Sequence, residues 1–500
     1  MKNKIIYLIH VLTILSTIWS GNLFAQIPVR KGPVSAIEIE KALSVVNQNM
    51  DSINAHQDYI YKMGLNNPLL LSQYRGWISK YPQKLSIPLS LGTAYYKAEM
   101  SQAKEFLLRA AKLAPNNAQI WYMLSADAFN RGESTLQSKY LLKATSVEPS
   151  NAAYAYYYLT TFKDVDQDVY RKKAIEFINR FPTDSQGAQV LYWLGEDATD
   201  LNEKIDYFEK LRKSYPPKEY KWTTYGMTSL ADAYLQTDPE KALILINTMG
   251  DNKDWQLRKQ AALQLIKIKE LEKQKNYKAA VIEFDELILP RFNYIDEFIT
   301  LKKASLQEKA GDVKTAYDSL IEKAAKLPTD SMNNAIENFG KKLGKSDRQV
   351  NDDIKTAIAK TASLASPFKL GLYTGRDSLD LNSLKGKVVL ITFWFPACGP
   401  CRAEFPYFQS VINKLNNTDI AYLGINVYPD QDPYVLPFLK NSKFSFIPLR
   451  GSADFALKNF GVKSEPTNFL IDKQGKIAFK NFTIDQKNQR SLELMIRSLL

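Results

Sequence analysis

The amino-acid sequence predicts a multidomain chain: an all-α solenoid of repeated helix pairs, followed by a smaller α/β domain. Three observations carry that reading. The length, 500 residues, is roughly three times the ~150-residue prior for one domain. Prolines recur at Pro82, Pro115, Pro149, Pro182 and Pro216, at spacings of 33, 34, 33 and 34 residues, and each follows an alanine-rich helical run that it would end. From about Ser366 onward, short apolar runs alternate with helical segments, as strands and crossover helices do.

Composition narrows the chemistry. Hydrophobic residues at 45% and charged residues at 24% exclude a disordered, collagen-like or polytopic membrane chain. The formal charge is +13, but no block of five basic residues occurs, so the surplus reads as a diffusely solvated surface and nucleic acid is not an expected partner. There are only two His and two Cys. With His10 in a segment expected to be removed, His56 alone cannot build a multi-histidine metal site and makes a poor base for a serine triad. The chemistry therefore falls to Cys398 and Cys401, or to nothing.

The N-terminus reads as an export signal at residues 1–25. Lys2 and Lys4 form a basic start, Ile5 to Ile18 an apolar stretch, and Leu23-Phe24-Ala25 a small-residue exit. The apolar run falls short of the ~20 residues that span a bilayer, and no cysteine follows the cleavage point to take a lipid. The expected location is periplasmic, or associated with the cell envelope, with no membrane span after cleavage. Export implies an oxidising compartment. Two cysteines within four residues staple little there, because the loop they close is tiny.

The array is read from residues 40 to 345. Trp121, Leu124, Ala144 and Pro149 in one unit, and Leu91-Gly92-x-x-Tyr95 with Ala103, Leu107, Ala110 and Pro115 in the one before, sit at tetratricopeptide-like offsets. This region resembles a tetratricopeptide-repeat solenoid, looser after Gly250. The resemblance implies a concave face able to hold a peptide or protein, or a spacer that positions the second domain. Tyr154, Tyr156, Tyr157 and Tyr158 read as core and groove packing. A linking helix is expected at 346–365.

The second domain, 366–500, is read element by element. Lys387 to Phe395 is an apolar run suited to a strand buried on both faces; Cys398-Gly399-Pro400-Cys401 follows, then a helix from Arg402 to Leu415. Ile420–Val427 reads as a strand, 433–443 and 453–460 as helices, and Ile447–Leu449 as a short strand. A hairpin turns at Asp472-Lys473-Gln474-Gly475, and a closing helix from Asp485 takes that residue as its cap. With Leu384-Lys385-Gly386-Lys387, Phe393-Trp394, Cys398 to Pro406 and Pro466-Thr467-Asn468-Phe469-Leu470-Ile471-Asp472 in place, residues 366–500 resemble the thioredoxin-like thiol–disulfide oxidoreductases of the TlpA/ResA type, a group also described as redoxin or AhpC/TSA-like.

The resemblance implies an enzyme with no cofactor beyond a redox-active Cys398–Cys401 disulfide, and no metal. Cys398, at a helix N-terminus where the dipole favours an anion, would attack; Cys401 would resolve the mixed disulfide. Gly399 and Pro400 form the active-site loop, Pro400 fitting the first helical turn. Pro466 matches the family's cis-proline, Glu465 would offer its backbone to an extended substrate, and Trp394 is read as substrate-contacting. Thr392 replaces the buried acid of cytosolic thioredoxins, and Glu404 is the expected substitute, relaying the proton of Cys401. A second negative charge at Glu465 would oppose thiolate formation, with Arg402 as an offset. Expected partners are protein thiols and disulfides, an unidentified thiol electron donor and a peptide or protein on the array. Reductive or isomerising work is favoured over net oxidation. Phe395, where a peroxidase would carry Thr or Ser, argues against peroxide chemistry. The competing reading is a non-enzymatic periplasmic adaptor with a vestigial redox domain.

Overall fold

The computed structural model describes residues 34–500 apart from positions 164, 292 and 417. The export signal read at 1–25 lies outside the described residues. Nineteen α-helices among the described residues run from Ala36 to Thr361, and a mixed sheet flanked by helices follows. The first helix opens on a capping box, with Ser35 and Glu38 each bonding the other's backbone. Paired helices then succeed one another: Ser86–Lys97 with Ala103–Leu113, Ala118–Asn130 with Ser134–Val147, Ala152–Thr160 with Gln167–Arg180, and Ser185–Asp197 with Leu201–Ser214. All five in-register prolines stand two residues beyond a helix end, where their missing N–H disturbs no helical bond.

Small residues set the spacing of the pairs. Ala103, Ala110 and Ala144 are buried, and a Cβ at Gly195 would come within 2.8 Å of the Phe208 ring. Tyr154 and Tyr156 are buried and Tyr122 stacks at 5.3–5.4 Å from Tyr154 and Tyr157, the packing expected of that cluster. His56 is a satisfied core residue between the Tyr74 hydroxyl (2.9 Å) and the Met50 carbonyl (3.0 Å). The helix Asp347–Thr361 joins the two parts: its Val350 packs with Tyr317 and Phe339 of the array, while Ile358 enters the core of the C-terminal domain. The sheet of that domain begins at Ser363, three residues before the expected boundary at 366 and inside the span read as linking helix.

The C-terminal elements are β1 (Ser363–Leu364), β2 (Lys369–Gly371), β3 (Ser378–Asp380), β4 (Val388–Trp394), α1 (Gly399–Leu415), β5 (Ile420–Asn426), α2 (Asp432–Ser442), β6 (Ile447–Arg450), α3 (Ala453–Phe460), β7 (Thr467–Ile471), β8 (Lys476–Phe482) and α4 (Gln489–Leu499). The main sheet has the order β1-β8-β7-β4-β5-β6, and β2 and β3 form a separate hairpin. β4 pairs parallel with β5 and antiparallel with β7. Every residue of β4 is buried, as its unbroken apolar run requires. Alternation along β4 sends Val389, Ile391 and Phe393 to one core layer, and Val388, Leu390 and Trp394 to the other. Thr392 therefore lies on the second face, the one covered by Phe405 and Phe408 of α1 and by Leu492 and Met495 of α4. Asp485 does not cap the last helix: it accepts from the N–H groups of Lys487 and Asn488 in a turn, and α4 starts four residues later at Gln489.

Candidate active site

The C-terminal end of β4 leads through residues 395–397 into Cys398, which is the N-cap of α1. Its extended backbone (φ −71°, ψ 96°) turns the chain into the helix, and its Sγ accepts from the Cys401 N–H at 3.2 Å. Pro400 stands in the first turn, where a missing N–H is harmless. Cys398 and Cys401 are disulfide-bonded, with Cα atoms 5.3 Å apart. The sulfur of Cys398 thus faces the orphan N–H groups and positive pole of α1, a setting that favours a thiolate once the pair is reduced. Cys401 is fully buried, while Cys398 is 5% exposed.

β7 brings the proline loop to the same place. Thr467 pairs with Phe393 at the end of β4, so the residues just before it lie beside the cysteine loop. The Glu465–Pro466 peptide is cis, and the Thr467 hydroxyl closes the loop on the Ser464 carbonyl at 2.6 Å. Glu465 is half-buried, and burial raises its carboxyl pKa, which weakens the negative charge anticipated next to Cys398. Arg402 does not offset it. The guanidinium has no carboxylate partner among the described residues; it donates to the Phe129 carbonyl and lies over the rings of Phe129 (3.4 Å) and Phe438 (4.8 Å). Desolvation there lowers its pKa to about 9.

Trp394 is a correction to the sequence reading. Its side chain has no exposed surface and packs 5.1–5.3 Å from Phe405, Phe438 and Phe446. Strand alternation turns it to the inner layer, so it supports α1 and α2 from beneath and cannot touch a substrate.

Glu404 lies one turn beyond Cys401, on the same side of α1, and is 4% exposed. One carboxylate oxygen accepts from the Ile484 N–H (2.7 Å), the other from the Asn468 amide (2.9 Å), and no cation is paired with it among the described residues. Desolvation, opposed in part by these two bonds, raises its pKa to about 7. Asn468 has no role in the sequence reading, yet it links Glu404 to β8 through the Phe482 carbonyl. It also stands opposite Thr392 in the β4–β7 register. Two polar residues interrupting apolar strands at facing positions were the available signal. Gln431 was missed with no local signal at all: it is fully buried, and its Oε1 accepts from the Ala397 N–H at 2.9 Å, bracing the loop that carries Cys398.

With that geometry, the comparisons are specific. Residues 359–494 match the Redoxin family. Over 123 residues the chain is 33% identical to the thiol-disulfide oxidoreductase ResA of Geobacillus thermodenitrificans, covering 25% of this chain and 69% of that protein. It is 30% identical to sporulation thiol-disulfide oxidoreductase A of Bacillus subtilis, again over 123 residues, covering 24% of this chain and 73% of that one. The chain belongs to the thiol–disulfide oxidoreductases. In ResA of Bacillus thuringiensis the match spans 57% of the relative's length. Among solved structures, a thiol:disulfide interchange protein DsbE from Chlorobium tepidum is 27% identical, over 28% of this chain and 97% of that one, at a TM-score of 0.26. The Redoxin match falls on the C-terminal domain and leaves the helical array outside it. No helix among the described residues is long and apolar enough to cross a membrane.

Proposed function

We propose that this oxidoreductase acts in the periplasm on protein thiols and disulfides, with Cys398 as nucleophile, Cys401 as resolving thiol and the disulfide between them as its only redox group. The Cys398 thiolate attacks one sulfur of a substrate disulfide; a mixed disulfide forms and the substrate's other sulfur leaves as a thiolate. Cys401 then gives up its proton, attacks Cys398 Sγ and releases the second substrate thiol. The substrate gains two electrons and the enzyme ends as the Cys398–Cys401 disulfide, for a thiol donor to reduce again. Glu404 takes the Cys401 proton, Pro466 and the Glu465 backbone hold an extended substrate strand, and the array binds or positions a partner. The Gly-Pro linker favours reduction or isomerisation over net oxidation.

The observation that carries the reading is the pairing of a cysteine at a helix N-terminus with a buried carboxyl that has no counter-cation among the described residues and a pKa of about 7, close to the operating pH of a proton acceptor. Reduction of glutathione disulfide by wild type and by Cys398→Ser tests it: activity in the first and none in the second supports the reading, and equal rates overturn it. The adaptor reading draws on one observation, the 5% exposure of Cys398. An adaptor would show the same background with that small disulfide whether or not the cysteine is present.

A further inference from the structure

Array residues pack against the residues that flank the loop carrying Cys398, which is itself 5% exposed. Four contacts bring the ends and turns of the first helices of successive pairs onto the residues around the catalytic loop. After the helix Ser86–Lys97, Glu99 adopts a left-handed backbone (φ 53°) and its carboxylate accepts from the Gln431 amide. Gln431 is the same side chain that braces Ala397. At the end of Ala118–Asn130, Phe129 takes Arg402 on both its ring and its carbonyl. Asp127, one turn back, accepts from the Tyr434 hydroxyl at 2.9 Å and pairs with Arg131 at 2.7 Å; both Asp127 and Tyr434 are buried. Arg131 then accepts the Asn441 amide on its carbonyl at 2.8 Å. The next residue, Gly132 (φ +69°), lies so near α2 that an added Cβ would be 3.1 Å from the Phe438 carbonyl.

The domain is held at its other end as well. Lys487 donates to the Glu196 carbonyl and Arg490 pairs with Asp330, so that array residues between 99 and 330 touch it in two places. These are not the loose contacts of a tethered neighbour. The Tyr434–Asp127–Arg131 group is a desolvated polar cluster whose partners satisfy one another, and parting it would leave buried donors and acceptors unpaired.

We infer that the helical array forms a wall of the active site and sets its specificity: small disulfides and thin, extended cysteine-bearing chains reach Cys398, and folded protein disulfides do not. Glu99 and Phe129 are the specificity-determining residues of this wall. The inference rests on the proposed chemistry at Cys398, but it concerns what gains access to the sulfur and not what the sulfur then does.

The test uses the full, reduced chain. Alkylation of Cys398 is timed with N-ethylmaleimide and with a maleimide carrying a polyethylene glycol chain, in wild type and in the double variant Glu99→Ala/Phe129→Ala. If the wall is open about a tenth of the time or less, the bulky reagent is slowed at least about tenfold in wild type. The double variant is expected to recover that factor while its N-ethylmaleimide rate stays unchanged. Equal bulky-to-small ratios in the two proteins overturn the inference, as does a wild type that both reagents modify at the same rate. Should the double variant lose its cooperative melt, Tyr434→Phe serves instead, with a smaller rise in the same ratio expected and an unchanged ratio overturning the wall. Reduction of glutathione disulfide by wild type separates the two ideas: a protein whose cysteines are alkylated but do not turn over that substrate refutes the oxidoreductase chemistry and leaves the access result standing.

Discussion

Two buried carboxylates show how differently the two halves of the molecule use polar groups. In the array, Asp232 is enclosed with Arg258, at 2.7 and 3.1 Å in a two-point pair, and also accepts the Tyr294 N–H. Burial pushes its pKa up and Arg258 pulls it back. In the C-terminal domain, Glu404 is as deeply buried but meets only neutral donors, from Asn468 and Ile484. No cation among the described residues opposes desolvation there, and its pKa is raised to about 7. Facing it, the Thr392 hydroxyl and the Asn468 Oδ1 have no hydrogen-bond partner among the described residues. A scaffold neutralises its buried charge, whereas a catalytic domain keeps a group poised between two states.

That contrast can be broken in several places. The largest effect is expected at Cys398→Ser, with disulfide turnover falling to background while the thermal melt of the array is unmoved; Cys401→Ser should instead accumulate a mixed disulfide visible by mass. In the array, Asp232→Asn strips the charge from a buried ion pair and should destabilise by about 3–5 kcal/mol in urea melts, with Cys398 still reacting with small thiol reagents in native buffer. A loss of that reactivity would mean the two halves fold as one unit.

Glu404→Gln should slow turnover by roughly a hundredfold and remove an inflection near pH 7 from the rate profile. The same variant has a thermodynamic signature. The folded protein holds the Glu404 proton up to about pH 7, while the unfolded chain releases it near 4.5, so stability is full below that lower value. It then declines as pH rises through 7, by on the order of 3 kcal/mol. Wild type should show that decline in chemical denaturation between acid and neutral pH, and the glutamine variant should show a shallower one. Smaller still, Gly195→Ala forces a methyl against Phe208 and should lower stability by about 1–3 kcal/mol. Lys458→Ala, which removes an exposed pair with Asp454, should change it by less than about 1 kcal/mol.

The elements that could be read in advance are those whose causes are local. The five prolines terminate helices by removing an N–H and blocking the next turn, so their period marks helix pairs wherever the chain later goes. The apolar run of β4, the Cys-Gly-Pro-Cys turn into α1 and the hairpin at Asp472–Gly475 depend on neighbours a few residues away. Errors arose where orientation or distant partners decide. Trp394 reads as substrate-contacting because its position beside the motif is visible in sequence, while the face it turns to is set by the packing of Phe405, Phe438 and Phe446. Asp485 reads as a cap because its residue type fits, but its side chain serves an earlier turn and the helix begins at Gln489.

By itself, then, the order of residues determined the helical periodicity, the strand-to-helix turn and the two sulfurs able to exchange, because each follows from covalent geometry and short-range hydrogen bonding. Tertiary structure alone decided that Glu404 is desolvated, that Asn468 meets it, and that Glu99 and Phe129 contact Gln431 and Arg402 beside the catalytic loop. Those contacts join residues as much as 332 positions apart. What creates them is the burial of one surface against another, and no short window of sequence carries the shape of both.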